Sequence, residues 1–309
     1  MLTTPGDLPS SEDGAWAFEV KWDGMRALAA TEGGRVRLTS RSEMDVTARF
    51  REIAESTAFT GGIARGSIFD GEIVALDAAG RPSFSHLAPR IQGHRVNVVP
   101  ITYLVFDVLR WDGRDLLDLA YVERREILHD VVEQGAFVAV PESFDDGAAL
   151  WATTASQGLE GVVAKKVESV YRPGVRSRDW LKVPHRRCHS YVIGGWKHGS
   201  SSSHPLASLL VGTPTADGLL VFDGAVGSGL ADGESRTLLT VLTEIRREER
   251  PFHWAASLPD DGTVTWTDPI LVVDVEHLGR TGNSLLRTPA VVRLRPDQSY
   301  ESVWQTGPG

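Results

Sequence analysis

The segment that organises this sequence is residues 16–26, Trp-Ala-Phe-Glu-Val-Lys-Trp-Asp-Gly-Met-Arg. Its first five residues form a strand-like run, and Asp23-Gly24 favours a turn directly after it. Strand and turn together would display Lys21 between two carboxylates, Glu19 and Asp23. An amine attacks only when it is neutral, so a nucleophilic lysine needs nearby cations that favour loss of its proton. Lys-x-Asp-Gly is also an ordinary solvated turn, and on these four residues alone both interpretations stay open.

The composition describes a globular protein that is long enough for two domains. The 309 residues are 41% hydrophobic and 24% charged. The only cysteine, Cys188, excludes an internal disulfide and a zinc site built from several cysteines, and it fits a reducing compartment. No secretion signal is visible, and no apolar run approaches the ~20 residues that cross a bilayer. We therefore expect a cytoplasmic protein with no membrane partner.

The distribution of charge is more informative than its total. A net charge of −9 argues against a protein that coats nucleic acid nonspecifically. Residues 172–197, however, carry seven lysines or arginines against one acid, Asp179. A basic segment in an acidic protein is typical either of a focused phosphate contact or of a solvated basic face.

The first part of the chain mixes helical and strand patterns. Helices are predicted at residues 47–59, 121–134 and 148–157, and strands at 16–20, 35–39, 101–109, 160–165 and 180–183. Residues 67–76 are predicted to form two strand segments that meet at Asp70-Gly71. Such a mixture indicates an α+β domain.

The pattern changes after residue 190. Short strands are predicted at residues 191–193, 208–211, 218–222, 270–275 and 291–294, with one helix at 234–247. Several short strands and one helix are typical of a small β-barrel such as an OB-fold. We place the domain boundary between residues 187 and 188, which gives domains of residues 1–187 and 188–309. The run at residues 199–203, Gly-Ser-Ser-Ser-Ser, is predicted to be a flexible loop.

Seven short motifs follow one another in a fixed order. They are Lys21-x-Asp23-Gly24-x-Arg26, Ser40-Arg41, Asp70-Gly71-Glu72, Phe106-Asp107, Glu160-Gly161 with Lys165, Trp180-x-Lys182, and Arg287-x-Pro289 with Arg295-x-Asp297. One such motif is weak information, whereas a series is specific. The series resembles that of the covalent nucleotidyltransferases, which include ATP-dependent DNA ligases, RNA ligases and mRNA capping enzymes. The resemblance extends from residue 16 to residue 298.

Within that superfamily the sequence resembles the bacterial ATP-dependent DNA ligases of end joining and repair, the LigC type and the ligase module of LigD. Residues 16–27 and the run Tyr-Val-Ile-Gly-Gly-Trp-Lys at 191–197 carry this similarity. It implies an α+β adenylyltransferase domain, ATP-grasp-like and of the DNA ligase/mRNA capping enzyme class, followed by an OB-fold β-barrel. It also implies ATP-dependent sealing of nicks or breaks in duplex DNA.

The resemblance assigns roles around the nucleotide. Lys21 would attack the α-phosphorus of ATP and form lysyl-AMP. Glu19 would lie at the adenine edge, and Phe106 would stack on adenine. Arg26 and Arg41 would contact ribose or phosphate and later the 5′-phosphate of the nick, since the fork of arginine suits phosphate oxygens.

Further roles concern the metal and the phosphates. Glu160 would hold Mg²⁺ or Mn²⁺, and Glu72 would reach the ribose or the metal, because carboxylates suit these hard cations. Lys182 would touch the α-phosphate, and Arg176 would contact ATP.

The last motif and the partners also follow from the resemblance. Arg287 and Arg295 would orient the departing pyrophosphate. The implied partners are nicked or broken duplex DNA and an end-binding or primase/polymerase repair protein. The enzyme is expected to act as a monomer at the bacterial nucleoid.

Two positions depart from the family pattern. Pro184 stands where a second lysine often follows Lys182, and Gln298 stands where the last motif often ends in lysine. These departures leave open a DNA-end-binding module whose catalysis is weakened or lost. The shared first step leaves open an RNA ligase or capping-type enzyme. A P-loop ATPase is disfavoured because the sequence has no Gly-x4-Gly-Lys-Ser/Thr run.

Overall fold

The computed structural model describes residues 1–59, 66–77, 80–93, 99–199, 206–255, 257–259 and 262–306. The chain divides into two compact units, Met1–His185 and Arg186–Gly309. The flexible loop predicted at 199–203 lies, apart from its first residue, outside the described residues. None of the helices within the described ranges combines the length and the apolar character needed to cross a bilayer.

The first unit contains two sheets and four helices in its described part. Its strands are β1 (Leu2–Pro5), β2 (Trp16–Val20), β3 (Met25–Glu32), β4 (Arg35–Ser40), β5 (Ser67–Ala75), β6 (Ile101–Trp111), β7 (Arg114–Asp115), β8 (Val138–Ala139), β9 (Ser143–Phe144), β10 (Gly161–Lys166) and β11 (Arg176–Pro184). Its helices are α1 (Arg51–Ala54), α2 (Phe84–Ile91), α3 (Tyr121–Val131) and α4 (Gly147–Ser156). One sheet has the strand order β1-β11-β10-β2-β9 and the other β4-β3-β5-β6-β7, with β8 paired to β6.

Most predicted elements of this unit are confirmed, but the helix at residues 47–59 is wrong. That segment contains two 3₁₀ turns, Thr47–Arg49 and Thr57–Phe59, on either side of the four-residue α1. Phe50 interrupts the helical path with φ −131°, and its side chain is fully buried in the core of this unit. Burial of Phe50 therefore overrides the helical pattern, as tertiary packing often does.

The prediction of two strand segments meeting at Asp70-Gly71 is also wrong. Residues 67–75 form one strand, and the ladder between β5 and β6 shifts its register at this dipeptide. A Cβ atom at position 71 would lie 2.5 Å from the Leu104 carbonyl oxygen and 2.6 Å from the Tyr103 ring. Gly71 is therefore needed for close approach of the next strand and not for a turn.

The alternation of β2 determines which residues face the functional site. Phe18 is fully buried in a cluster with Leu150 and Val162, and Val20 packs against the same cluster. Because successive side chains of a strand point to opposite faces, Glu19 and Lys21 face the other way. Packing of Phe18 thus fixes the direction of both polar side chains.

We expect replacement of Gly147 by alanine to disturb this packing. A Cβ atom there would lie 2.4 Å from the Phe18 ring. Overpacking of this kind lowers the free energy of unfolding by about 1 to 3 kcal/mol, which chemical denaturation would measure. The matched control is Gly135→Ala, because a Cβ atom at position 135 meets no atom within 4 Å. Equal stability of the two variants would contradict the proposed role of Gly147.

The second unit is an antiparallel sheet with two helices in its described part. Its elements are β12 (Arg187–His198), β13 (Leu206–Pro214), β14 (Leu220–Val226), α5 (Asp232–Glu244), β15 (Arg246–Arg247), β16 (Val264–His277), β17 (Ala290–Leu294) and α6 (Tyr300–Thr306). The strand order is β14-β13-β12-β16-β15, and β17 pairs with β16. Tyr191 and Ile193 pack on one face of the sheet with α5, whereas Val192 packs on the other. The strands and the helix predicted here are confirmed, and α6 was not predicted.

Candidate functional site

A cavity of about 730 Å³ opens in the first unit, and both of its sheets contribute to the wall. The predicted site residues on this wall are Glu19, Lys21, Arg26, Arg41, Glu72, Phe106 and Lys182. They come from distant parts of the sequence, and the two sheets bring them together. The cavity is large enough for a nucleotide-sized ligand, since small-molecule sites span roughly 300–1,000 Å³.

The lysine of the first motif is paired with the carboxylate of a later one. Lys21 Nζ lies 2.7 Å from Glu160 Oε2, and the Lys21 backbone N–H donates to the Gly161 carbonyl at 2.9 Å. Gly161 has φ +142°, and a Cβ atom there would lie 2.2 Å from the Val183 carbonyl oxygen. Only glycine allows this backbone approach. The structure thus brings Lys21 and Glu160 together by backbone pairing as well as by charge.

A second carboxylate lies on the cavity wall near this pair. Burial raises the pKa of Glu72 to about 8, although the charges of Lys21 and Arg26 act in the opposite direction and Glu160 adds to the increase. A buried carboxylate with a raised pKa lacks sufficient positive charge nearby. A divalent cation shared with Glu160 would supply that charge, so the two carboxylates fit Mg²⁺ or Mn²⁺.

The protein ligands available to such a cation are few. Within the described ranges no group of three or more histidine, cysteine, aspartate or glutamate side chains is arranged to hold a metal ion. Mg²⁺ commonly takes one or two carboxylates and completes its shell with water and phosphate oxygens. The donor set of Glu72 and Glu160 therefore fits a cation that arrives with a phosphorylated ligand.

Arg26 is held largely by the protein itself. Its Nε and Nη2 atoms donate to the two Asp70 oxygens at 3.0 and 2.5 Å, and Nη2 also donates to the Met1 carbonyl at 2.7 Å. Asp70 is fully buried and accepts a further hydrogen bond from the Tyr171 hydroxyl at 2.7 Å. Within the described residues Nη1 of Arg26 has no acceptor, so this one amino group is available to a ligand.

The aromatic part of the cavity wall is formed by Phe106 and Trp180. Their rings meet edge to face with centroids 6.1 Å apart. The Lys165 ammonium lies 4.6 Å from the Phe106 centroid and 4.4 Å from that of Trp180. Cations at these distances interact favourably with the ring faces. The partly exposed Phe106 ring is suited to a flat aromatic ligand.

Glu19 is the centre of a buried polar cluster, and two of its partners there, Tyr121 and Arg125, were not predicted to belong to the site. Its Oε1 atom accepts from Lys165 Nζ at 2.8 Å, from Arg125 Nη1 at 3.5 Å and from the Tyr121 hydroxyl. Burial lowers the pKa of Lys165, and the charge of Glu19 opposes that decrease. Burial, followed by the charge of Glu19, raises the pKa of Tyr121.

Glu19 and Lys165 belong to the motifs of the sequence, whereas Tyr121 and Arg125 do not. Val163 and Lys165 alternate along β10 and both line the cavity, in agreement with the period of two in a strand. Tyr121 and Arg125 are four residues apart on α3 and therefore share a helix face. Nothing in the sequence indicates that this face meets Glu19.

The three remaining predicted nucleotide contacts of the first unit differ in their positions relative to the cavity. Arg176 is exposed, donates to the Thr3 carbonyl at 2.6 Å, and is not among the residues of the cavity wall. Arg41 lies on the wall and is exposed. Lys182 lies on the wall beside Val163, with which it is paired across β10 and β11.

Arg287 and Arg295 belong to the second unit, where Arg295 is held by two carboxylates. Arg295 donates to Asp297 at 2.8 and 2.9 Å and to Asp274 at 3.2 Å. Hydrogen bonding by Arg295 lowers the pKa of Asp297 to about 2. Asp274 also accepts from Ser190 at 2.6 Å. Arg295 would have to exchange some of these contacts in order to bind a phosphate group.

Comparison with protein families gives two matches along the chain. Residues 6–183 match the family described as "ATP dependent DNA ligase domain", and residues 202–298 match "ATP dependent DNA ligase C terminal region". The first match contains every predicted site residue of the first unit, and the second contains Arg287 and Arg295.

Individual relatives agree with these matches. The chain is 38% identical over 308 residues to the multifunctional non-homologous end joining DNA repair protein LigD of Mycobacterium tuberculosis H37Rv, with 98% of this chain and 39% of the relative covered. It is 36% identical to a probable DNA ligase of Streptomyces coelicolor, with coverage of 93% and 57%. The chain therefore spans about two fifths of the LigD relative.

A solved structure gives the same result for the fold. The mycobacterial DNA ligase D complexed with ATP and MES matches with a TM-score of 0.56 and 36% identity, and 97% of this chain and 95% of that chain are covered. The expected α+β architecture, a nucleotidyltransferase domain followed by an OB-fold, is confirmed.

Proposed function

The chain belongs to the ATP-dependent DNA ligase family, and we propose that it seals nicks or breaks in duplex DNA through an AMP adduct on Lys21. The observation that carries this proposal is the position of Lys21, which lies on the cavity wall 2.7 Å from Glu160. A lysine exposed to a nucleotide-sized cavity and bordered by two carboxylates suits phosphoryl transfer in the presence of a divalent cation.

The first step joins Lys21 to the nucleotide. Lys21 Nζ loses a proton and attacks the α-phosphorus of ATP, the Nζ–P bond forms, and the bond to the β-phosphate oxygen breaks. The electron pair of that broken bond goes to the bridging oxygen, and pyrophosphate leaves as an anion. Arg26 can meet the nucleotide only through Nη1, since its other donors are engaged with Asp70 and Met1. Lys182 and Arg41 add positive charge to the same wall.

The carboxylates control the charge around the amine. Glu160 forms an ion pair with the Lys21 ammonium, and an ammonium nitrogen has no lone pair with which to attack phosphorus. Mg²⁺ or Mn²⁺, held by Glu160 and Glu72, would neutralise charge on the phosphates and compete with the ammonium for Glu160. Glu160 would thus hold Lys21 in place at rest and release it when the metal and nucleotide arrive.

Two later steps complete sealing. AMP passes from Lys21 to the 5′-phosphate of the nick, so that the Nζ–P bond breaks and a phosphoanhydride forms. The neighbouring 3′-hydroxyl then attacks the 5′-phosphorus, and AMP leaves as the phosphodiester bond forms. We propose that Arg287 and Arg295 orient pyrophosphate in the first step and that Arg176 contacts the nucleotide.

The biological setting is proposed from the relatives. LigD of M. tuberculosis is named as a multifunctional end-joining repair protein, and this chain covers 39% of it. We propose that the chain acts in end joining with an end-binding or primase/polymerase partner, as a monomer in the bacterial cytoplasm at the nucleoid.

The test separates the ligase from its alternatives. We expect the protein with Mg²⁺ to take a covalent label from ATP and not from GTP, and to seal a nick between two DNA strands in a duplex. Gel electrophoresis of labelled protein and labelled DNA measures both reactions. Labelling by GTP would indicate a capping-type enzyme, and a preference for RNA strands would indicate an RNA ligase. No label from either nucleotide would indicate a binding module without catalysis.

A further inference from the structure

Glu19 presents one free oxygen to the cavity. Its side chain is almost fully buried and lines the cavity wall. Three donors converge on Oε1, whereas Oε2 accepts no hydrogen bond from any residue in the described ranges. Oε2 itself is not an enclosed atom, so it remains accessible from the cavity and can take a hydrogen-bond partner there. Because the oxygen lies at the cavity, that partner is a donor group on a ligand.

The surroundings indicate the kind of donor. Lys165 connects Glu19 to the aromatic wall, since its ammonium lies 2.8 Å from Glu19 Oε1 and 4.6 Å from the Phe106 ring centroid. A flat ring against Phe106 would therefore bring its edge towards Glu19. A carboxylate accepts hydrogen bonds and repels a carbonyl oxygen. The free oxygen fits an exocyclic amino group on an aromatic ring and disfavours a ring with a carbonyl at that position.

We propose that Tyr121 and Arg125 of α3 are positioning residues that make the site select adenine over guanine. This inference rests on the function proposed above. Neither residue is among those of the cavity wall, and each acts through Glu19. By holding Oε1 they direct Oε2 towards the 6-amino group of adenine, and guanine would place its 6-carbonyl oxygen against the same acceptor. Lys165 supplies the third contact from within the cavity.

The attachment of α3 explains why it can act as a fixed support. The Glu123 carboxylate accepts from the Ala120 N–H at 2.8 Å, which closes the start of the helix. The Val122 N–H donates to the Val167 carbonyl at 3.1 Å, directly after β10. Arg125 also donates through Nη2 to the Pro141 carbonyl. Tyr121 and Arg125 are therefore anchored to the sheet that carries Glu19, and their donors do not need to be ordered when a ligand binds.

The test compares ATP with purine riboside triphosphate, which lacks the 6-amino group. We expect the wild type to be labelled by ATP with a kcat/KM about 10- to 100-fold higher than with the analogue. Tyr121→Phe removes one hydroxyl and should reduce this ratio about 3- to 10-fold through a higher KM for ATP. Labelling by the analogue should be unchanged, because it makes no contact with Oε2. Relative labelling by GTP should increase.

A second variant and a control complete the design. Arg125→Gln should also reduce the ratio of kcat/KM for ATP to that for the analogue. This variant tests the proposal independently if Tyr121→Phe folds poorly. Tyr300→Phe is the matched control, because it removes a hydroxyl that bonds Thr215 and Leu219 in the second unit, and its ratio should equal that of the wild type.

The outcomes distinguish the two proposals. An unchanged ratio of ATP to analogue in both α3 variants would overturn the positioning role of α3 while the ligase proposal stands. A wild type that takes no label from any nucleotide would overturn the proposed function, and the inference about α3 with it. A loss of labelling by ATP and analogue alike would show that α3 supports the fold of the site and does not select the base.

Discussion

Replacement of Lys21 by arginine should abolish the covalent AMP adduct, with a rate of labelling at least about 10⁴-fold below the wild type. Arginine keeps the positive charge and can retain the ion pair that Lys21 makes with Glu160 at 2.7 Å. The guanidinium stays protonated at neutral pH and is therefore not a nucleophile. The variant should fold and bind nucleotide while the bond to phosphorus cannot form.

Intact-mass spectrometry after incubation with ATP and Mg²⁺ measures this adduct, and peptide mapping locates it. The matched control is Lys166→Arg. Lys166 is the last residue of β10, and its Nζ atom lies 3.2 Å from Asp179 Oδ1 in a surface ion pair. That variant should be labelled like the wild type. An AMP adduct on Lys21→Arg, or an adduct that maps to another residue of the wild type, would overturn the mechanism.

Replacement of Glu160 by glutamine should lower the rate of adduct formation by about 10²- to 10³-fold. Glutamine preserves the shape of the side chain but removes the charge, so Glu72, whose pKa is raised by burial, would be left as the single carboxylate of the proposed metal site. We expect Lys21 to be held less firmly in position and the affinity of the site for the cation to decrease. We expect a higher Mg²⁺ concentration to be needed for half-maximal labelling, in addition to a lower maximal rate.

Labelling rates at a series of Mg²⁺ and Mn²⁺ concentrations check this expectation. Glu168→Gln is the control. Glu168 is an exposed glutamate that follows Glu160 closely in the sequence, and its replacement should leave the metal dependence unchanged. A Glu160→Gln variant with the metal dependence and rate of the wild type would show that Glu160 holds neither the cation nor the lysine.

Local patterns were sufficient for the parts of the site that lie on regular strands. The strand of residues 16–20 and the alternation of its side chains place Glu19 and Lys21 on one face, as the structure shows. The motif order then identified Glu160, which backbone pairing brings next to Lys21. The strand period is visible in the sequence, whereas the antiparallel pairing of β2 with β10 is known only from the structure.

The remainder depends on contacts between distant residues. The segment at 47–59 has a helical pattern, but burial of Phe50 breaks it into short turns. Asp-Gly is a common turn sequence, but here Gly71 lies within β5 and its missing side chain allows β6 to approach closely. Tyr121 was predicted to lie on a helix, and only the docking of that helix reveals its bond to Glu19. Side-chain partners more than 100 residues apart have no local signature.

The backbone hydrogen bond between Lys21 and Gly161 limits how the reactivity of the Lys21 amine can be tuned. Since the strand ladder sets the spacing between Lys21 and the start of β10, loop insertions or deletions elsewhere would leave that spacing unaltered. Evolution or an engineer would have to adjust reaction rate through charge and volume of the surrounding side chains. Grafting the segment with Lys21 alone into another scaffold would transfer the amine without its companion carboxylate, so the two groups can be moved together only with both adjacent strands.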